Sequence, residues 1–195
     1  HPDLPFIAGD AEVPASFCQL ILEVSGPQHQ LFALPRGPVD AVDSVIGFRA
    51  SQLVVDEGTL QIGIGSLSDA IVSSLILRQK NPVQYKRIAE SLDKKNPWAK
   101  GALSWEPFEK GLYGTSEMVM DGFMQLRRAD ILKRTVQDGG RAIYLHGAFF
   151  LGSKAFYKWL RDLAGEDFSG FAMTRVSKVN DLYDADEMAL RRQRK

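Results

Sequence analysis

The chain has 195 residues, of which 45% are hydrophobic and 25% are charged, so it can build one sizeable globular core. Its 24 basic side chains balance its 24 acidic ones, and this balance argues against nucleic acid or an anionic membrane as the main partner. A single cysteine, Cys18, excludes an intrachain disulfide, and the sequence shows neither a membrane-spanning run nor a secretory signal, so we predict a cytoplasmic protein.

The first elements lie before residue 58. Residues 1–38 are rich in proline and glycine and are interpreted as an irregular segment from the end of a preceding domain, with Cys18 buried in its one apolar stretch. A helix is then predicted, because acidic residues begin a segment in which apolar residues recur at helical spacing. These apolar residues are Val42, Val45, Ile46, Ala50 and Leu53.

A glycine-rich turn follows the first predicted strand, which covers Thr59 to Ile64. Gly63 and Gly65 form this turn, and Ser68 or Asp69 is predicted to cap the next helix. A dinucleotide-binding turn would carry a third glycine and an acidic residue about 20 positions later, and the chain has neither. Two interpretations remain: a purely structural turn, or a turn whose backbone contacts a ligand.

The segment at residues 81–111 is polar and interrupted by proline, so we interpret it as an insertion on the surface, with a helix near residues 83–92. Glu117 is then predicted to begin a helix that has Met120, Phe123, Met124 and Ile131 on one face. The glycines at residues 139 and 140 indicate a turn after that helix.

The last predicted elements are a strand at residues 142–150, a helix that begins at Gly152 and Ser153 and closes at Gly165, and a strand at residues 171–179. Alternating strands and helices predict an α/β fold with a mostly parallel sheet flanked by helices. Ligands of such sheets bind at the carboxyl ends of the strands. The residues that follow each strand are therefore the predicted site.

The other reactive residues do not form a recognisable site. The three histidines, His1, His29 and His146, are scattered, and one cysteine cannot build a metal cluster, so we expect no metal. His146 lies in an apolar strand and is interpreted as a core histidine with satisfied hydrogen bonds.

Four segments in order carry a family resemblance: GIGSLSDAI, SEMVMDG, FFLGSKAFYKWL and RVSKVND. Together they resemble the glutamate-dependent class I coenzyme A transferases and the related acetyl-CoA hydrolases. The resemblance implies that residues 39–195 are part of a C-terminal CoA-transferase (NagB/RpiA-like) domain. It also implies acyl-CoA and small carboxylates as partners, coenzyme A as a substrate, no permanently bound cofactor, and a tendency to form homo-oligomers.

Residue roles follow from the same resemblance. Glu117 corresponds to the catalytic glutamate, and Asn180 to a side-chain amide that completes an oxyanion site. The residues implied to contact the CoA thioester are Gly63, Ile64, Gly65, Ser66 and Ser68. The implied activity is CoA transfer or acyl-CoA hydrolysis, and the alternative is a non-catalytic CoA-binding or structural module that kept the fold.

The chain departs from the family pattern in three places. Ser68 stands where the family has proline, and Thr115 and Ser116 stand before the glutamate in place of the family's His-Thr. The family's Gly-Gly-x-Gly-Gly-x-x-Asp-Phe stretch is absent. We therefore expect a fragment of a longer enzyme, which alone lacks full activity.

Overall fold

The computed structural model describes residues 4–6, 13–27, 29–33, 35, 37–93 and 103–173. The α-helices of these ranges are α1 (Ala41–Ser51), α2 (Ser66–Lys80), α3 (Pro82–Asp93), α4 (Asp121–Arg128), α5 (Lys154–Arg161) and α6 (Gly165–Ser169). The strands are β1 (Thr59–Leu60), β2 (Tyr113–Val119), β3 (Val136–Asp138), β4 (Arg141–Ile143), β5 (Leu145–Phe150) and β6 (Phe171–Met173).

Four of the strands form one sheet in the order β1-β2-β5-β6, and every neighbouring pair is parallel. Each crossover between these strands carries helices, as parallel pairing requires. β3 and β4 form a separate antiparallel hairpin, and its turn uses the positive φ angles of Gly139 and Gly140. The predicted α/β fold with a mostly parallel sheet is confirmed.

The main core lies where α2, α4 and α5 pack against the sheet. Its fully buried members include Leu75, Phe123, Leu145 and Phe156, one from each of these four elements. The predicted apolar face is confirmed for Phe123 and Met124, which are buried in α4, whereas Met120 is the N-cap and Ile131 lies beyond the helix, although both are buried. Glu117 is not part of that helix, because β2 stays paired with β5 as far as Val119 and α4 begins only at Asp121.

Helix α1 is confirmed, and Asp40 caps it by accepting a hydrogen bond from the Asp43 backbone N–H at 2.7 Å. The apolar residues that predicted the helix are mostly exposed, namely Val42, Val45, Ile46 and Leu53. The helix instead buries Gly47, Phe48 and Ser51. Gly47 decides this orientation, because a Cβ there would lie 2.6 Å from the Cβ of Ala70 on α2. The close helix contact therefore selects the small residue over the apolar stripe.

Helix α3 corrects the interpretation of residues 81–111 as a purely surface segment. Tyr85 and Ala89 of α3 are fully buried, and Tyr85 packs on Phe48 with ring centroids 4.5 Å apart. The Tyr85 hydroxyl also lies 2.7 Å from Ser51 Oγ. Phe108, later in the same segment, belongs to the main core. Whether residues 81–111 are an insertion relative to the family stays a prediction.

Four predicted boundaries near the turns differ in the structure. The first strand ends at Leu60, because the chain leaves the sheet to begin α2 at Ser66, before the predicted caps Ser68 and Asp69. The predicted strand at residues 142–150 is divided at Tyr144 between the hairpin and the main sheet. Gly165 begins α6 instead of closing the preceding helix. Of the last predicted strand, residues 171–173 are confirmed and residues 174–179 lie outside the described residues.

Two buried polar side chains are satisfied within the fold. Arg78 is buried, and it donates hydrogen bonds of 2.6 Å to the backbone carbonyls of Glu106 and Val54. His146 is fully buried between the Tyr113 hydroxyl, 2.5 Å from Nδ1, and an Asp138 carboxylate oxygen, 3.1 Å from Nε2. The interpretation of His146 as a satisfied core histidine is confirmed.

The apolar stretch near residue 20 does not enter the core. Cys18 is exposed, which corrects the prediction that it is buried, and Leu20, Ile21 and Leu22 beside it are exposed as well. Among the residues that the structure describes, no helix combines the length and the apolar character needed to cross a membrane.

Candidate active site

A cavity of about 250 Å³ lies at the carboxyl ends of three neighbouring parallel strands. Its walls are formed by the segments that follow β1, β2 and β5, which are residues 62–65, 120–122 and 151–153. The other residues that line it are Ala33, Pro35, Ser68, Asp69 and Val72. This is the edge where parallel sheets bind their ligands, and where the strand alternation predicts the site.

The first wall is the glycine turn between β1 and α2. Gly65 is the N-cap of α2 with φ +113° and ψ 169°, a conformation that essentially only glycine adopts. Gly63 and Ile64 are exposed beside it, and a Cβ on Gly63 would have no atom within 4 Å. Gly63 is therefore not required by the local packing, and its missing side chain leaves backbone open to a ligand.

Glu117 lies in the strand next to this turn. β1 and β2 pair Thr59 with Tyr113 and Leu60 with Gly114, where β1 ends. Beyond that pairing, Ser116 Oγ lies 3.4 Å from the Ile62 carbonyl oxygen, so the residues just before Gly63 and Glu117 remain in contact. Glu117 is exposed, whereas Thr115 and Ser116 before it are buried. The two motifs thus lie side by side at one edge of the sheet.

The second and third walls are joined by a pair of hydrogen bonds. Asp121, the first residue of α4, is 5% exposed and accepts from Ser153 through both carboxylate oxygens. Ser153 N–H donates to Oδ2 at 3.0 Å, and the Ser153 hydroxyl donates to Oδ1 at 2.5 Å. Ser153 is also the N-cap of α5, since its Oγ accepts from the Phe156 N–H at 3.2 Å. One carboxylate therefore connects the starts of two helices.

Two glycines allow the walls to approach this closely. A Cβ on Gly122 would lie 2.9 Å from Ile62 Cδ1, in the segment after β1. A Cβ on Gly152 would lie 2.7 Å from Asp121 Oδ2 and 2.4 Å from Phe156 Cδ1. Both positions exclude a side chain without movement of the neighbouring atoms, so small residues are needed here by the packing.

The electrostatic character of the cavity follows from its helices. Gly65 and Ser153, the N-caps of α2 and α5, line the cavity together with Asp121, the first residue of α4, and each helix start carries a partial positive charge. Asp69 and Asp121 are the acidic residues in the first turns of α2 and α4. Their carboxylates complement the helix dipoles, while Ile62, Val72 and Leu151 supply apolar walls. Among the described residues no group of His, Cys, Asp and Glu could hold a metal ion.

Comparisons with known proteins agree with the resemblance that the four sequence segments indicated. The chain is 26% identical over 165 residues to the 4-hydroxybutyrate coenzyme A transferase of Clostridium kluyveri, across 83% of this chain and 30% of the relative. The crystal structure of RipA from Yersinia pestis matches with a TM-score of 0.64 and 21% identity, over 93% of this chain and 33% of that chain. No protein-family model matches.

A crystal structure of 4-hydroxybutyrate CoA-transferase from Porphyromonas gingivalis matches with a TM-score of 0.56 and 22% identity, over 90% of this chain and 35% of that chain. The chain is thus similar in sequence, at low identity, to a coenzyme A transferase, and it shares the fold of a solved CoA-transferase structure. The resemblance predicted from four short sequence segments is thereby confirmed. The chain spans about a third of the length of the relatives that it matches.

The structure brings together most of the residues that the CoA-transferase resemblance implied. Four of the five predicted thioester contacts line the cavity: Gly63, Ile64, Gly65 and Ser68. Ser66 begins α2 beside them but is not among the lining residues, and neither is Glu117. Asn180 lies outside the described residues. The functional roles of these residues stay predictions.

Sequence reasoning missed the residues that form the rest of the cavity. Asp121 and Ser153 were noticed only as parts of a family motif and of a helix start, and their contact joins positions 32 residues apart. Ala33 and Pro35 come from the segment interpreted as irregular, yet they line the cavity. The available signal was that Asp121 and Ser153 each begin a helix directly after a parallel strand.

Proposed function

We propose that this chain is the catalytic-glutamate part of a coenzyme A transferase or acyl-CoA hydrolase, with Glu117 as the nucleophile. The observation that supports the proposal is the contact of Ser116 Oγ with the Ile62 carbonyl oxygen, which joins the residues just before Glu117 and just before the Gly63 turn. An exposed carboxylate beside an open backbone turn can receive an acyl group, and the 4-hydroxybutyrate CoA-transferase relatives support this class of reaction.

The proposed chemistry needs no metal and no ATP. The ionised Glu117 carboxylate attacks the thioester carbonyl of an acyl-CoA and expels CoA thiolate, which leaves a mixed anhydride. The thiolate then attacks the glutamyl carbonyl and releases the free acyl carboxylate, which leaves a glutamyl-CoA thioester. A second carboxylate repeats the two steps in reverse, so a new acyl-CoA forms and Glu117 is regenerated.

The cavity residues have matching roles in this proposal. Backbone N–H groups of the turn at residues 63–65 bind the oxyanion that forms at each attacked carbonyl in this proposal, and Asn180 completes that site. The apolar walls exclude water, and exclusion of water decides between the two activities. If water attacks the glutamyl thioester, the products are free CoA and the glutamate, and the enzyme is a hydrolase.

The proposal extends to the rest of the protein. We propose that residues 39–195 are part of a C-terminal CoA-transferase domain, and that the full activity, the choice of acyl donor and acceptor, and any oligomeric assembly depend on a longer protein. Acyl-CoA and small carboxylates are the proposed partners.

Intact mass spectrometry after brief exposure to acetyl-CoA tests the role of Glu117. We expect a covalent CoA adduct on Glu117 that borohydride reduces, because borohydride reduces a thioester and leaves an ordinary carboxylate unchanged. Glu117→Gln removes the nucleophile and should abolish the adduct without a change in thermal stability, since the side chain is exposed. Glu90→Gln, at an exposed position on α3, is the matched control and should keep the adduct.

Two outcomes would contradict the catalytic assignment. An adduct that persists in Glu117→Gln would place the nucleophile elsewhere. A longer protein that contains this chain and binds acetyl-CoA, but forms no adduct and does not hydrolyse it, would instead support the non-catalytic CoA-binding module.

A further inference from the structure

The contact between Asp121 and Ser153 has two hydrogen bonds beyond the one that caps helix α5. Ser153 already satisfies α5 by accepting from the Phe156 N–H, so its bonds to Asp121 add nothing to that cap. Asp121 is nevertheless buried, and both of its oxygens are bonded to the same residue. Burial of a carboxylate is costly unless it is hydrogen-bonded, so this geometry indicates a constrained position.

The Asp121 carboxylate lies where the wall at residues 120–122 meets the wall at residues 151–153. Asp121 lies among the lining residues together with Gly152 and Ser153, which belong to the turn after β5. Gly152 packs against Asp121 so closely that a Cβ would lie 2.7 Å from Oδ2. On the opposite side of Asp121, Gly122 packs against Ile62 next to the Gly63 turn. Asp121 therefore contacts the wall after β5 and precedes the glycine that packs against the wall after β1.

Residues 32 and 33, from the segment before α1, also approach the Asp121–Ser153 contact. Tyr157, on the first turn of α5, lies with its hydroxyl 3.4 Å from the Phe32 carbonyl oxygen. Ala33, the next residue, lines the cavity. Burial raises the pKa of Tyr157 although a hydrogen bond with the Gly152 backbone lowers it, so the hydroxyl remains a donor to that carbonyl. Helix α5 is thus connected both to the cavity wall at residues 151–153 and to the segment at residues 32–33.

We infer that Asp121 is a positioning residue, which sets the width of the acyl-thioester cavity by holding the turn at residues 151–153 against the start of α4. It does not touch the reacting atoms. It acts through Ser153 and Gly152, and the inference rests on the proposed function of the same cavity. The Asp121 carboxylate supplies one acceptor oxygen for each of the two Ser153 donors.

Hydrogen exchange and acetyl-CoA affinity, measured on the 195-residue chain, test the inference together. Affinity is compared in the Glu117→Gln background, so that turnover does not consume the ligand. Asp121→Asn keeps the size of the side chain and loses one acceptor. We expect it to speed exchange of the Ser153 amide, and to weaken acetyl-CoA binding about tenfold or more, as small misplacements in a site do.

Matched variants separate positioning from general stability. Asp162→Asn, at the exposed end of α5, should leave both measurements unchanged. Ser153→Ala should reproduce the loss of affinity, and Ser153→Thr, which keeps the hydroxyl and the cap, should restore it. The double change of Asp121→Asn with Ser153→Ala should be no worse than the weaker-binding single variant, because both remove one shared contact.

The outcomes distinguish the inference from the proposed function. Faster Ser153 exchange with unchanged acetyl-CoA affinity would overturn the inference, because the contact would then be structural only. Unchanged exchange would overturn it as well. If the chain with intact Asp121 does not bind acetyl-CoA at all, the proposed function fails, and the inference fails with it.

Discussion

Two glycines of one turn have different physical reasons to be glycine. Gly65 has a φ of +113°, where an L side chain is strained, although space around it is open. Gly63 has an ordinary backbone conformation and equally open space, so its lack of a side chain matters only to something that enters the cavity. The sequence presents both simply as glycine, and the backbone angle separates them.

Alanine at these two positions should therefore behave differently. Gly65→Ala forces a Cβ into a sparsely populated conformation, and we expect it to lower the free energy of unfolding by about 1–3 kcal/mol. Gly63→Ala should change that free energy by no more than about 0.5 kcal/mol. Urea denaturation of both variants measures the difference. Equal losses in stability would show that the turn is not held in the conformation described.

Helix α3 shows how an element can join the core through a few residues. Its sequence is polar, and Val83 is exposed, yet Tyr85 and Ala89 are fully buried against α1. The Tyr85 hydroxyl lies 2.7 Å from Ser51 Oγ, which itself donates to the Phe48 carbonyl at 2.7 Å. A buried tyrosine of this kind is a strong anchor, because its ring is removed from water and its hydroxyl is hydrogen-bonded.

Truncation of the Tyr85 side chain should destabilise the whole fold, and not helix α3 alone. We expect Tyr85→Ala to cost about 3–5 kcal/mol of the free energy of unfolding, as removal of a large buried aromatic side chain does. Val83→Ala, on the same helix but exposed, should change it by less than about 0.5 kcal/mol. Chemical denaturation followed by circular dichroism compares them. A small loss for Tyr85→Ala would mean that α3 is dispensable to the core.

At the scale of the whole molecule, the burial of tyrosines makes the stability depend on pH in the alkaline range. Burial raises the pKa values of Tyr85, Tyr144 and Tyr157, because the phenolate form is poorly solvated inside the fold. Tyr144 is held by a 3.0 Å bond from its hydroxyl to the Asp167 carbonyl and by the Arg127 guanidinium 4.1 Å from its ring centre. The folded chain therefore binds these protons more tightly than the unfolded chain.

The sign of the pH dependence follows from these raised pKa values. The contribution of the tyrosines is fully present below their unfolded pKa of about 10, and it is lost as the pH rises above that value. We expect the melting temperature to fall progressively above about pH 10, together with an increase in phenolate absorbance on unfolding. Tyr144→Phe should flatten this dependence. A melting temperature that is constant up to pH 12 would contradict the burial of these hydroxyls.

The amino-acid sequence by itself determined the α/β alternation, the helix start at Ser153, the glycine turn and the relation to the CoA-transferases. These features depend on local periodicity, on short-range hydrogen bonds and on motifs that are contiguous in the chain. The structure agrees with these features because each one depends on residues that are close together in the chain.

Only the tertiary structure decided that β2 runs through Glu117, that α1 buries Gly47 instead of its apolar stripe, and that Asp121 bonds to Ser153. Each of these depends on partners far away in the chain: the register of β2 with β5, the approach of Ala70, and the start of α5. Pairings between distant segments are fixed by packing of the whole sheet and its helices, which no local pattern records.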